Sequence, residues 1–267
     1  MMGNSATPDQ DGDYISKLNT NVPHSARTWN YWLGGKDNFA ADREVGDRAL
    51  AVHPELAEVA RAARAFLSRV VRYLAGEVGI RQFLDIGTGL PTAENTHEVA
   101  QRVAPESRIV YVDNDPLVLV HARALLTSSP EGVTDYVDAD LRDPDKILRE
   151  AARTLDFSQP IAVMLLGILG HIQDYEEARS IVKRLLDALP SGSYLVIDDG
   201  VKTTEGSAEA ARVGGYQLRT REQIVAFFEG LDLVEPGVVP AITWQPEPGY
   251  TPGKGAEQAT CGVGRKP

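Results

Sequence analysis

The run Phe83-Leu84-Asp85-Ile86-Gly87-Thr88-Gly89-Leu90-Pro91 carries the strongest chemical signal in the chain. A short apolar segment enters a Gly-x-Gly pair, and a helical stretch follows. Glycines at such a bend let the backbone turn sharply and let a ligand lie against bare main chain. The next helix offers unpaired N–H groups and a partial positive charge at its start. Alone, Gly-x-Gly is a weak signal, because a plain tight turn uses the same residues. A dinucleotide site also asks for Gly or Ala at the third position of its fingerprint, close against the strand. Here that position is Thr92, preceded by Pro91.

Two acids follow in order. A mostly apolar strand over 108–112 ends at Asp113, 26 residues past Gly87. A carboxylate at that tip accepts hydrogen bonds from both hydroxyls of a ribose. Asn114 stands beside it, and Asp115, ahead of Pro116, reads as the cap of the next helix. Asp138-Ala139-Asp140-Leu141 then follows a third strand. Asp140, with Leu141 beside it, puts a further carboxylate at a strand tip; a loop carboxylate in water is the alternative. Three such features, each at a strand's C-terminal end, are more specific than any one of them.

These loops need a parallel sheet to hold them. Strands are expected at 82–86, 108–112, 134–137, 161–166 and 194–197, separated by helices at 92–103, 116–126, 144–155 and 175–189. That alternation implies right-handed βαβ units. Ahead of the sheet, Leu56, Val59, Ala63, Phe66, Val70, Leu74 and Val78 recur at steps of three or four. The periodicity predicts one long amphipathic helix over 54–79, stopped by Gly79. Near the end a helix is expected over 220–228, with Thr220 and Gln223 at capping-box spacing. A long strand over 233–244 and a short one over 260–264 then form a hairpin. The predicted fold is α/β and Rossmann-like: a mostly parallel seven-stranded sheet with an antiparallel C-terminal hairpin and an N-terminal helical cap. The expected organisation is a flexible tail at 1–21, a cap or lid at 22–79 and a cofactor-binding domain at 80–267.

Composition narrows the partners. Lys plus Arg number 27 against 38 Asp plus Glu, a net charge of −11. Phosphate backbones are repelled on average, which argues against nucleic acid. Cys261 is the sole cysteine, so neither an intramolecular disulfide nor a cysteine-based metal site is expected, and no metal is assigned. The N-terminal residues lack a signal-type apolar core, and the longest apolar run, Ile161 to Leu169, is too short to cross a bilayer. A cytoplasmic protein without membrane contact is expected; a homodimer is compatible with the sequence.

Residues 22–47 are too rich in aromatics for a tail. His24, Arg27, Trp29, Tyr31, Trp32, Lys36, Asp37, Asn38 and Phe39 surround Gly34-Gly35. The segment is read as a lid over a bound cofactor, its rings set against a cation. The alternative is a hydrophobic staple for the long helix.

Several runs resemble one family closely. They are His24-Ser25-Ala26-Arg27, Tyr31-Trp32-Leu33-Gly34-Gly35-Lys36-Asp37-Asn38-Phe39, the glycine run extended to Thr92, Val110-Tyr111-Val112-Asp113-Asn114-Asp115-Pro116 and Ala139-Asp140-Leu141-Arg142-Asp143-Pro144. Together they look like an actinobacterial S-adenosylmethionine-dependent methyltransferase family, long catalogued as a domain of unknown function. The resemblance spans about residues 22 to 265. It implies a class I methyltransferase fold, S-adenosyl-L-methionine as cofactor and S-adenosyl-L-homocysteine as product, and does not name the acceptor. On this reading Asp85, Gly87, Thr88, Gly89, Asp113, Asn114, Asp140, Leu141 and Gly167 bind the cofactor, with Lys36, Asn38 and His24 from the lid. The resemblance weakens between Gly167 and Arg219. The family usually has a histidine and an aromatic after the fourth strand and often a Ser-His pair at the end of the fifth. Here those places read Gly167-Ile168-Leu169-Gly170-His171-Ile172 and Asp198-Asp199-Gly200.

The methyl of a sulfonium is already activated, so alignment and water exclusion do most of the work. A base is needed only if the acceptor must lose a proton. The candidates are His171, Asp199 and Tyr31. The expected activity is methyl transfer to a small-molecule acceptor. The alternatives are a non-catalytic S-adenosylmethionine-binding protein and a nicotinamide-dependent oxidoreductase. Thermal-shift measurement separates the cofactors: S-adenosylhomocysteine should raise the melting temperature, and NAD should leave it unchanged.

Overall fold

The computed structural model describes residues 18–267 except 93, 126, 204, 247, 248 and 250. Of the expected tail, only 18–21 fall within the described residues. Two helices open the described chain, α1 (Ser25–Trp32) and α2 (Ala40–Val52). Neither carries an apolar stripe as regular as that of the helix that follows. Local polar contacts start them instead. The His24 ring accepts the Ala26 N–H at 3.3 Å, and the Asp42 carboxylate accepts the Phe39 N–H at 2.8 Å.

The predicted long helix is α3 (Leu56–Tyr73), extended by a π-helical turn at Leu74–Val78. It stops at Gly79, whose φ of 85° is a conformation that favours glycine. The alternation that follows is β1 (Gln82–Ile86), α4 (Thr96–Val103), β2 (Arg108–Asp113), α5 (Pro116–Leu125) and β3 (Val133–Asp138). It continues through α6 (Pro144–Ala151), β4 (Ala162–Leu166), α7 (Tyr175–Asp187) and β5 (Tyr194–Gly200). Then come α8 (Glu205–Val213), α9 (Arg221–Ala226), β6 (Asp232–Leu233), β7 (Val239–Pro240) and β8 (Ala259–Arg265).

The sheet order is β3-β2-β1-β4-β5-β8-β6, with β7 also paired to β8. Strands β1 to β5 are parallel, and β8 runs antiparallel to β5, β6 and β7. This is the expected plan with three corrections. Helix α4 starts at Thr96 rather than Thr92, because Glu98 reaches back to the Asn95 N–H at 2.8 Å and closes a capping box. The long strand expected over 233–244 is broken by a turn in which the Gly237 N–H bonds the Val234 carbonyl at 2.9 Å. Its halves are β6 and β7, so the sheet has eight strands rather than seven. Helix α8 was not foreseen.

Strand alternation sends side chains to two cores. On one face Leu84, Val110, Leu165 and Ile197 pack with Ile147, Ile181 and Phe227 from α6, α7 and the end of α9. On the other, Phe83, Ile109, Met164 and Val196 pack with Phe66, Val70 and Leu74 of the α3 stripe. Trp244 closes this second core. It is fully buried, edge-on to Phe66 and Tyr73 with centroids 5.5 Å away in each case. Arg69 of α3 donates to the Trp244 carbonyl at 3.0 Å and the Ala241 carbonyl at 2.5 Å, which pins the segment after β7 to the helix. Among the described residues no helix is long and apolar enough to cross a membrane. Trp244→Ala should cost about 3–5 kcal/mol of stability by urea unfolding, the usual penalty for emptying so large a buried site.

Candidate active site

The carboxyl ends of β1, β2, β4 and β5 open onto a cleft of about 680 Å³, a volume usual for small-molecule sites. Asp85, Gly87, Thr88 and Gly89 line its floor. Gly87 has φ 75° and Gly89 φ 67°. A Cβ on Gly87 would sit 2.6 Å from the Ile168 side chain, so the bend fits against the β4 loop only as glycine. A Cβ on Gly89 would meet nothing within 4 Å, so its backbone borders open space. That is the bare main chain that a bound ligand requires.

The acids converge here. Asp85 is buried beneath the bend and accepts the Thr96 hydroxyl at 2.6 Å; burial pushes its pKa up to about 6. Asp113 accepts N–H groups from Gly89 and Asp115, both at 2.9 Å. Burial raises its pKa, and those two bonds work against the rise. The Asn114 amide donates to Asp140 at 3.1 Å, which links the second and third strand tips. Leu141 lines the same wall. Asp115 caps α5 through the Leu117 N–H at 2.8 Å, as its place before Pro116 predicts.

Helix α1 forms the opposite wall, with His24, Trp29 and Trp32 on the cleft. The two indoles meet edge to face at 5.8 Å. A buried ionic group fastens this helix to β2. The Arg27 guanidinium donates to Asp115 at 2.9 Å and lies 3.5 Å from Asp42. His24 Nδ1 is 3.0 Å from Asp115, and its backbone N–H bonds Asp42 at 2.9 Å.

Gly167, His171 and Asp199 complete the expected set on the cleft. His171 stands edge-on to Tyr216 at 4.9 Å, and burial pushes its pKa down to about 4, so the ring is neutral at pH 7. Asp199 is fully engaged. It accepts the Tyr216 hydroxyl and the Gly200 N–H at 2.9 Å, and pairs with buried Arg219 at 3.3 Å. Burial still lifts its pKa to about 6. These contacts engage both carboxylate oxygens and tie the end of β5 to Tyr216 and Arg219.

Three other expected residues lie off the cleft lining. The Tyr31 hydroxyl donates to Asp47 at 2.6 Å on the far side of α1. Lys36 is exposed. Asn38 is buried in the loop itself, where its amide bonds Asn30 and the Gly35 carbonyl, both at 2.9 Å. It folds the α1–α2 turn rather than facing a ligand.

Two lining residues were missed. Arg64 of α3 reaches the cleft and bonds the Asn95 side chain at 3.0 Å. Its signal was an arginine one position off the apolar stripe. Asp198 lies next to Asp199 on the opposite face of β5. It is 3% exposed, and its Oδ1 has no hydrogen-bond partner among the described residues. Burial and the neighbouring Asp199 push its pKa up to about 8.

A parallel sheet with an antiparallel last strand, a glycine bend and acids on successive strand tips defines a class I methyltransferase. The residues present fit S-adenosylmethionine by their chemistry: an open glycine backbone, an acid at the tip of β2 and a second acid one strand further. The chain belongs to the S-adenosyl methyltransferase family, whose profile it matches over residues 12–267. It is similar to a DUF574 family protein of Streptomyces avermitilis MA-4680, at 46% identity over 93% of this chain and 99% of that one, with a TM-score of 0.89. A candidate methyltransferase of Thermobifida fusca YX is 41% identical over 99% of both chains, with a TM-score of 0.86. The N-methyltransferase NodS of Bradyrhizobium japonicum WM9 shares the fold at 17% identity, covering 78% of this chain and 96% of its own, with a TM-score of 0.50. No curated protein matches by sequence. The chain is therefore an S-adenosylmethionine-dependent methyltransferase.

Burial and the adjacent Asp199 keep the Asp198 carboxyl protonated to higher pH than an ordinary carboxyl. Its pKa is about 8 in the fold against an ordinary 3.8. The folded state thus favours the protonated form, and the stability it lends below pH 3.8 is lost as pH rises toward 8. Asp198→Asn stays neutral throughout. Thermal unfolding should show the variant gaining on the wild type between pH 4 and pH 9, with no gain at pH 4.

Proposed function

We propose that this enzyme transfers the methyl group of S-adenosylmethionine to a small-molecule acceptor inside the cleft under α1. The observation that carries the reading is the convergence of the Gly87–Gly89 bend, Asp113 and Asp140 on one cavity. When bound, the cofactor supplies a methyl group activated by a sulfonium.

The chain's own residues then have distinct tasks. Asp113 accepts the ribose hydroxyls, and Asp140, steadied by Asn114, accepts the adenine amino group. Leu141 packs beside the base. The bend at Gly87, Thr88 and Gly89 takes the amino-acid end above Asp85, and Arg64 offers that end a cation. Gly167 gives the β4 loop its close approach. Trp29 and Trp32 wall the cleft and exclude water, with His24 tying them to β2. In this reading residues 22–79 form the cap and 80–267 the cofactor domain. Helix α3 belongs to both, since its stripe packs on the sheet.

The small-molecule assignment rests on size and charge. The cavity is about 680 Å³, and a net charge of −11 opposes a nucleic-acid acceptor. Calorimetry tests the site. S-adenosylhomocysteine should bind the wild type, and Asp113→Asn should weaken it by roughly 10- to 100-fold, the worth of a charge-assisted hydrogen bond. Equal affinities would remove Asp113 from the cofactor site.

A further inference from the structure

Every acid on the cofactor side of the cleft has a partner; Asp198 is different. Its side chain lies on the α3 face of β5, with its Oδ1 unpartnered and almost sealed from bulk water. A buried carboxyl without a donor costs free energy that a purely structural position would shed. It lines the same cleft as the glycine bend, whose wall also includes the apolar side chains of Leu56, Val59 and Ala63. What it lacks is a hydrogen-bond donor.

The surrounding charges say which kind of donor. Asp199 is the next residue and raises the Asp198 pKa, while the Cys261 thiol across the strand register is neutral, its pKa pushed well up by burial and by Asp198 against the opposing pull of Arg69. The Tyr216 hydroxyl, on the other face, is committed to Asp199. Arg219 is committed to Asp199 and the Ile172 carbonyl, and Arg69 to the carbonyls of Trp244 and Ala241. Asp198 thus has an acid as its neighbour and, among the described residues, no cation paired to it. A phenolate or carboxylate acceptor would add to the repulsion. A neutral alcohol would bring a donor but no charge. An ammonium brings both, and the indole faces of Trp29 and Trp32 on the same cleft favour cations as well.

We propose that the acceptor is an amine, and that the Asp198 carboxylate binds its ammonium and takes one N–H proton. This rests on the methyltransferase reading above and adds the substrate class to it. The step balances simply. An N–H bond breaks and an O–H bond forms; ammonium becomes amine and carboxylate becomes acid. The nitrogen lone pair set free is the nucleophile that methyl transfer needs, and a protonated amine has none.

The test uses the full chain loaded with S-adenosylhomocysteine, and binding rather than turnover. Phenethylamine and its matched alcohol, 2-phenylethanol, are titrated at pH 7 in buffers of different ionisation enthalpy. Because burial and Asp199 favour the protonated carboxyl, the arriving ammonium should displace a proton to the buffer. The alcohol should bind at least about tenfold more weakly and release no proton. Asp198→Asn should still bind S-adenosylhomocysteine, which shows that it is folded, while losing both the preference and the proton release. Equal binding of alcohol and amine, binding of neither, or proton release that survives in the variant would overturn the amine assignment. Failure of the wild type to bind S-adenosylhomocysteine would instead sink the methyltransferase reading beneath it.

Discussion

The buried ion group around Arg27 is the contact on which the site depends. The guanidinium sits between Asp115, at the tip of β2, and Asp42, in the first turn of α2. Its remaining donors reach the carbonyls of Val22 at 3.2 Å and Asn19 at 3.5 Å. A charge so buried is tolerable only while its partners stay in place, since an orphaned one costs several kcal/mol. The three elements are thereby locked together. Asp115 also gives an N–H to Asp113, so the seating of α1 and the setting of Asp113 are one structural event.

Much of this was legible in the sequence, for a physical reason. The glycine bend, Asp113 and Asp140 sit at the ends of βα units, and each unit announces itself by local periodicity. Their convergence follows from the parallel sheet alone. A helical cap was expected at 22–79, but the bounds and course of α1 and α2 were not legible, because tertiary polar contacts such as Arg27 to Asp115, 88 residues away, decide them. The same blindness explains Tyr31, Lys36 and Asn38. A cluster of rings and polar groups signals order but does not say which side of a short helix meets the ligand. Arg64 was hidden because only the packing of α3 over β1 brings it to the cleft.

Asp198 and Asp199 show the limit most clearly. As a dipeptide they are indistinguishable. Strand geometry sends one to each face of the sheet. Asp199 finds Arg219 and Tyr216 from the segment after α8 and becomes a structural tie. Among the described residues the Asp198 Oδ1 finds no such partner. A strand three residues longer than its sequence suggests is what buries both.

The broken last strand has a consequence for assembly. At one margin the sheet ends in two-residue strands, β6 and β7, the second of which includes Pro240. At the other, β3 carries Asp135 and Asp138. Short, proline-bearing or acidic borders resist extension by a neighbour's backbone. Two copies of this chain meeting in solution would therefore have to join through their helical flanks, leaving each sheet, and the cleft at its crest, complete within a single chain.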